Sequence, residues 1–189
     1  MKRGKTLKKL QQSIADPLAD IWFEDEVHFT LRSTITRMWS PIGRQPKVLF
    51  EPNRLKIGYF GILNASTGEL FTQTAYPFNS ETFEQFIRLF LAAKESQGRK
   101  IVIILDNARW HKPVTRKLMD EYPKSLEFLY LPPYSPDLNP IERVWRITRR
   151  KCTHNKYFQM LETLADVLGS FFAKLAVPNK TLSSLCAIN

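Results

Sequence analysis

Five consecutive apolar residues, Ile101-Val102-Ile103-Ile104-Leu105, run directly into Asp106-Asn107. A strand with one face in water alternates apolar and polar side chains, whereas a strand that is apolar at every position is covered on both faces. This run therefore predicts an interior strand of a mixed sheet with helices around it. It also delivers a carboxylate to the end of that strand.

The surrounding pattern supplies the rest of such a layered fold. Residues 21–29 read as a strand, aromatic and β-branched, with Phe23, Asp25, Val27 and Phe29 on one face. Residues 36–50, broken by Pro41, Gly43 and Pro46, read as an irregular turn or strand extension. Strands are expected over 55–64 and 69–77, joined by a hairpin at Ala65-Ser66-Thr67-Gly68. A helix follows, with Ser80 as its cap, Phe83, Phe86, Ile87, Phe90 and Leu91 as its apolar stripe, and Gln97-Gly98 as its stop. Further on, a helix over 113–121, a strand over 126–131, a helix capped by Asn139 with Pro140 in first position, and a helix over 158–175 complete the order. The fold class is α/β, with a mixed central β-sheet flanked by helices. At 189 residues the chain suits one domain. We divide it into a basic lead-in (1–20), the domain (21–177) and a C-terminal tail (178–189).

The charge narrows the partners. Lys and Arg number 28 against 18 Asp and Glu, a formal balance of +10, and the pI is near 9.7. Such a balance favours a polyanion, either nucleic acid or an acidic membrane surface. Cys152 and Cys186 make no metal-ligand or disulfide spacing, which fits a reducing cytosol. The opening residues carry no apolar signal core, and no apolar run approaches membrane-spanning length. These features predict a soluble, cytoplasmic protein without a membrane partner.

Three acidic residues sit where strand and helix ends can converge: Asp25, Asp106 and Glu142. Phosphoryl transfer on nucleic acid commonly uses two divalent ions about 4 Å apart, and magnesium takes oxygen ligands. Each residue has a second reading. Asp25 stands between Glu24 and Glu26 and could belong to a solvated trio. Asp106-Asn107 could be turn chemistry at a strand end. Glu142, three residues after Asn139 and four before Arg146, could complete a capping box and a helix-face ion pair. Composition and periodicity leave these alternatives open.

Literal motifs add a resemblance. Asp25-Glu26, the stretch Leu105-Asp106-Asn107-Ala108-Arg109-Trp110-His111, and the stretch Leu131-Pro132-Pro133-Tyr134-Ser135-Pro136-Asp137-Leu138-Asn139-Pro140-Ile141-Glu142-Arg143-Val144-Trp145 resemble the DDE transposases of the IS630 and Tc1/mariner group. The resemblance covers residues 22–157, and 35 residues separate Asp106 from Glu142, close to the group's usual spacing. It implies an RNase H-like fold with Asp25, Asp106 and Glu142 as catalytic metal ligands. It further implies two Mg²⁺ ions, for which Mn²⁺ can substitute, and cleavage and strand transfer on double-stranded DNA at transposon ends and target. The alternatives are a catalytically silent DNA-binding remnant and an RNase H-like nuclease acting on another nucleic acid.

Other residues follow from their neighbourhood. Arg143, Arg146, Arg149, Arg150 and Lys151 form a basic run after Glu142, either a DNA-phosphate flank or a solvated face. Asn107 is an accessory candidate beside Asp106. His111 could touch phosphate, tune Asp106 or simply enter a helix. Trp110 and Tyr134 could stack on exposed bases or fill loops. Members of the group normally carry an N-terminal helix-turn-helix region, and about 20 residues precede the first strand here. A separate helix-turn-helix half and a homodimer on DNA are therefore expected, with a nucleoid location if the protein is bacterial.

Overall fold

The computed structural model describes residues 12, 16–94, 98–133 and 135–187. Most of the 1–20 lead-in and Tyr134 lie outside them. Among the described residues, five strands form one sheet in the order β3-β2-β1-β4-β5. They are β1 (Ala19–Thr30), β2 (Lys56–Asn64), β3 (Glu69–Thr74), β4 (Lys100–Leu105) and β5 (Leu126–Tyr130). β1 runs antiparallel to β2 and parallel to β4, and β4 runs parallel to β5. The apolar run is thus the interior strand β4, and Val102, Ile103, Ile104 and Leu105 are buried as its composition requires.

Helices cover both faces. α1 (Ser80–Lys94) and α2 (His111–Glu121) lie on one side, where Phe83, Phe86, Ile87, Phe90, Val114 and Leu118 share a core with Trp22, Phe60 and Ile103. α3 (Ile141–Thr148), α4 (Leu161–Ala173) and α5 (Lys180–Cys186) lie on the other, over Val27, Phe29, Tyr59 and Leu63. The alternation in β1 sorts these faces. Even-numbered Trp22 goes to one core and odd-numbered Val27 and Phe29 go to the other.

Three expectations need correction. The cap of α1 is Asn79, whose Oδ1 accepts from the Thr82 N–H at 2.9 Å. Ser80 Oγ instead donates to the Trp110 carbonyl at 2.8 Å and ties α1 to the start of α2. The expected tail contains α5, capped by Asn179, with Leu182 and Cys186 buried in the core. α4 is shorter than the 158–175 span, although Phe158 and Leu175 remain buried beside it.

Residues 31–55 are an irregular arm. Its base is closed by Leu31 N–H to the Leu55 carbonyl at 2.8 Å, and by Asn155, whose side chain bonds both Thr36 N–H and Thr36 Oγ1. Further out, Trp39, Ile42 and Leu49 are exposed.

One small residue controls the α3 face. Gly61 pairs with Asp25 in the β1–β2 register, and a Cβ at Gly61 would lie 2.3 Å from Trp145 Cη2. Trp145 therefore packs against the sheet at a place only glycine leaves open. Gly61→Ala is predicted to destabilise the chain by about 1–3 kcal/mol through overpacking, measured as a lower urea midpoint. An unchanged midpoint would contradict this packing.

Candidate active site

The β1–β4 register ends at Phe23 opposite Ile104. Continuing it two residues brings Asp25 level with Asp106, which follows the last residue of β4. Both then point to the α3 side, since Val102 and Ile104 share a cluster with Phe23. The chain returns through β5, where Leu131 N–H bonds the Leu105 carbonyl at 2.8 Å, then through a 3-10 turn (Pro136–Leu138), into α3. Glu142 lies in the first turn of α3. Asp25, Asp106 and Glu142 line one cleft of about 490 Å³ together with Asn107, Pro132, Pro133, Ser135 and Asn139.

The start of α3 differs from the expected capping box. Pro140 occupies the N-cap position and provides no side-chain cap. Asn139 reaches across the fold: its Nδ2 donates to the Glu24 carbonyl of β1 at 2.9 Å, and its Oδ1 accepts a long 3.4 Å bond from Ile141 N–H. Asn139 thereby fastens the helix entry to the strand that carries Asp25. Among the described residues the Glu142 side chain has no hydrogen bond or ion pair, so its carboxylate is left to the cleft.

The three acids differ electrostatically. Burial pushes the Asp25 carboxyl up to about 8, Glu26 and Glu142 push in the same direction, and a 3.0 Å hydrogen bond from Trp145 Nε1 to Oδ2 opposes them. Trp145 is held by burial, about 3 kcal/mol for a side chain of this size. The single hydrogen bond adds about 1 kcal/mol, so packing fixes the indole and the bond fixes Asp25. Asp106 lies below its ordinary range, chiefly through His111, with burial opposing and the Ala108 N–H, at 2.8 Å, assisting. The turn chemistry expected of Asp106 is therefore present and coexists with its place in the cleft.

His111, the first residue of α2, is fully buried. Its Nδ1 lies 3.2 Å from Asp106 Oδ1, an ionic contact off the N–H direction, and its Nε2 lies 3.0 Å from Glu26 Oε1. Burial lowers the His111 pKa, but the contacts with Asp106 and Glu26 outweigh it and raise it. His111 thus supports Asp106 from beneath and is closed to phosphate. The sequence marks Glu26 only as an acid flanking Asp25. Its signal was parity, because alternation puts Glu24 and Glu26 on the face opposite Asp25. Asn107 donates to the Leu131 carbonyl and ties β4 to the proline-rich loop. Trp110 packs edge-on against Phe83 with ring centroids 5.4 Å apart, so its indole serves the core.

The basic run divides. Arg146, Arg150 and Lys151 are exposed. Arg143 donates to the carbonyls of Leu185 and Ala187 at 2.8 and 3.2 Å, clamping the end of α5. The Arg149 guanidinium sits 5.7 Å from the centre of the Phe29 ring, where the helix widens into a π turn (Arg149–Thr153). These two have structural partners as well as charge.

Residues 20–165 match the family model described as DDE superfamily endonuclease. An uncharacterized 39 kDa protein of insertion element IS630 from Shigella sonnei is 31% identical over 138 residues, 71% of this chain and 39% of that protein. The uncharacterized protein y4pE/y4sA of Sinorhizobium fredii is 44% identical over 62 residues, 33% of this chain and 43% of that protein. The chain thus spans less than half the length of these relatives. The Mos1 transposase paired-end complex with left transposon end superposes with a TM-score of 0.71 at 19% identity, covering 97% of this chain and 56% of that one. The catalytic domain of Mos1 mariner transposase gives 0.65 at 18% identity, covering 98% and 85%. The sheet order and its helical layers are those of the RNase H-like fold. By the match over residues 20–165 the chain belongs to the DDE superfamily endonucleases, and its fold is that of the Mos1 catalytic domain.

Proposed function

We propose that this domain cleaves DNA at transposon ends and joins the freed 3′-hydroxyl to target DNA, with Asp25, Asp106 and Glu142 holding divalent metal. The observation that carries the reading is the convergence of these three carboxylates on one cleft from β1, the end of β4 and the first turn of α3. The donor set fits magnesium: it is all oxygen, Glu142 is unpartnered among the described residues, and the Asp106 side chain is 55% exposed. Solved Mos1 paired-end complexes are described with Mg and with Mn. When bound, two such ions activate the attacking oxygen and stabilise the leaving one.

The chain's own residues prepare that chemistry. Trp145 and His111 fix the orientations of Asp25 and Asp106, and Asn139 holds the helix that presents Glu142. The exposed Arg146, Arg150 and Lys151 follow Glu142 along the same helix and offer phosphate contacts that position the backbone at the cleft. Arg143 and Arg149 contribute mainly to the local field.

A homodimer is proposed through the 31–55 arm. Its base is fixed to Asn155, just past the π turn that follows α3, while Trp39, Ile42 and Leu49 remain unpacked, which suits contact with a second copy holding the other transposon end. Recognition of end sequences is assigned to a helix-turn-helix segment outside this chain, and the location to the cytoplasm or nucleoid. No helix among the described residues is long and apolar enough to cross a membrane.

Replacing Asp106 with Asn is predicted to lower Mg²⁺-dependent nicking of DNA carrying the cognate ends by at least about 100-fold. The assay includes a helix-turn-helix partner, and DNA retention by the variant should stay salt-sensitive. Normal cleavage by D106N would remove the metal assignment. A wild-type chain that retained DNA yet never cut it would instead be a silent remnant.

The pH dependence has a definite sign. Asp25, raised from 3.8 to about 8, is protonated in the folded chain and ionised in the unfolded chain between those values. Folding then takes up protons, and stability falls as pH rises through the window. Glu24, also raised, acts in the same direction, as does His111 above its ordinary 6.5, whereas depressed Asp106 adds stability that is lost only in acid. The metal-free melting temperature is therefore predicted to fall from about pH 5 to about pH 8, while stabilisation by added Mg²⁺ grows over the same interval. D25N should flatten both trends, and a pH-independent Mg²⁺ effect in the wild-type chain would contradict the account.

A further inference from the structure

Glu24 has no role in the cleft. It lies on the opposite face of β1, is 1% exposed, and neither carboxylate oxygen has a hydrogen-bond partner among the described residues. A buried carboxylate in that condition is costly unless a proton or a cation compensates it. Its surroundings favour a cation. Ligand atoms from Glu24, Glu26 and His111 all lie within 4.8 Å of one another, and His111 Nε2 is 3.0 Å from Glu26 Oε1.

We propose that Glu24, Glu26 and His111 form a second divalent-cation site, beneath the sheet and separate from the Asp25–Asp106–Glu142 cleft, that takes a transition ion of the zinc type. Nitrogen and oxygen ligands about 2.0–2.2 Å from one ion stand about 3–4 Å from each other. The cluster needs only small side-chain adjustments to close to that spacing. One imidazole with two carboxylates suits zinc, cobalt or manganese, whereas an all-oxygen set suits magnesium. The second nitrogen of His111, Nδ1, makes no hydrogen bond among the described residues but lies 3.2 Å from the Asp106 carboxylate, which leaves Nε2 to serve as the ligand. The ion would neutralise Glu24 and Glu26 and hold His111 firmly under Asp106. One imidazole would then join a structural cation to the proposed reactive cleft.

Protonation of Glu24 is the competing outcome. Burial and the neighbouring Glu26, Asp25 and Asp106 all raise its pKa, yet the structure offers its proton no acceptor at hydrogen-bond distance. The proposal does not depend on the DNA-cleavage reading, because its ligands differ and its test contains no DNA.

The test uses the full chain carrying D25N and E142Q, which disables the cleft while leaving Asp106 against His111. Titration with Co²⁺, read by visible absorption, is expected to show one equivalent per chain with nitrogen coordination, displaced by Zn²⁺. Adding E24Q, which keeps the side-chain volume, should weaken uptake at least about tenfold. If the D25N/E142Q background does not fold, E24Q alone should lower the Co²⁺ bound by the otherwise wild-type chain by one equivalent. No Co²⁺ uptake in the folded background, or uptake and stoichiometry untouched by E24Q, overturns the proposal. An E24Q chain that is more stable and takes up as much Co²⁺ as its parent assigns the buried carboxyl to a proton instead.

Discussion

Like charges meet where the pairing of β1 with β4 ends, and the surrounding structure contains their repulsion. Asp25 is pushed upward by burial, Glu26 and Glu142, and Glu24 by burial, Glu26, Asp25 and Asp106. A stable fold would ordinarily avoid such a concentration of buried acid. Here the alternation of β1 splits it into two layers. Asp25 faces α3 and the cleft, and Glu24 and Glu26 face α2 and His111. Each layer has one aromatic nitrogen partner, Trp145 above and His111 below.

Rigid packing supplies the precision that such a site needs. Trp145 is buried on the sheet because Gly61 leaves room for it, and the same indole orients Asp25. Asn139 sews the entry of α3 to β1, so Glu142 cannot drift relative to Asp25 without breaking a buried bond. Beyond Glu142, the same helix carries exposed cations outward and ends where Asn155 grips the arm. Cleft, basic flank and arm are thus consecutive features of one mechanical element, which is why a DNA-handling reading accounts for all three.

Much of this was legible in the sequence because it rests on local periodicity. The unbroken apolar run identified β4 as an interior strand, the alternation in β1 put Asp25 on one face with Phe23, Val27 and Phe29, and the motif from Leu131 to Trp145 brought Glu142 into the set. What escaped the sequence is long-range. A capping box at Asn139 is reasonable from spacing alone, but its amide is used 115 positions away in the chain. The His111 contact with Glu26 spans 85 positions, and nothing near either residue announces it. α5 was missed because seven residues with two buried apolar side chains carry too little periodic signal. The Asn79 cap lost to Ser80 in the sequence reading because adjacent residues of similar capping strength cannot be ranked without knowing that Ser80 serves the Trp110 carbonyl.

The account rests on Asp25, Asp106 and Glu142 holding metal together. Diffraction from crystals of the full chain soaked in Mn²⁺, collected at a wavelength where manganese scatters anomalously, tests that directly. The account predicts an anomalous peak in the cleft within bonding distance of Asp25 and Asp106 carboxylate oxygens. A chain that took up Mn²⁺ elsewhere while this cleft showed no peak would contradict it.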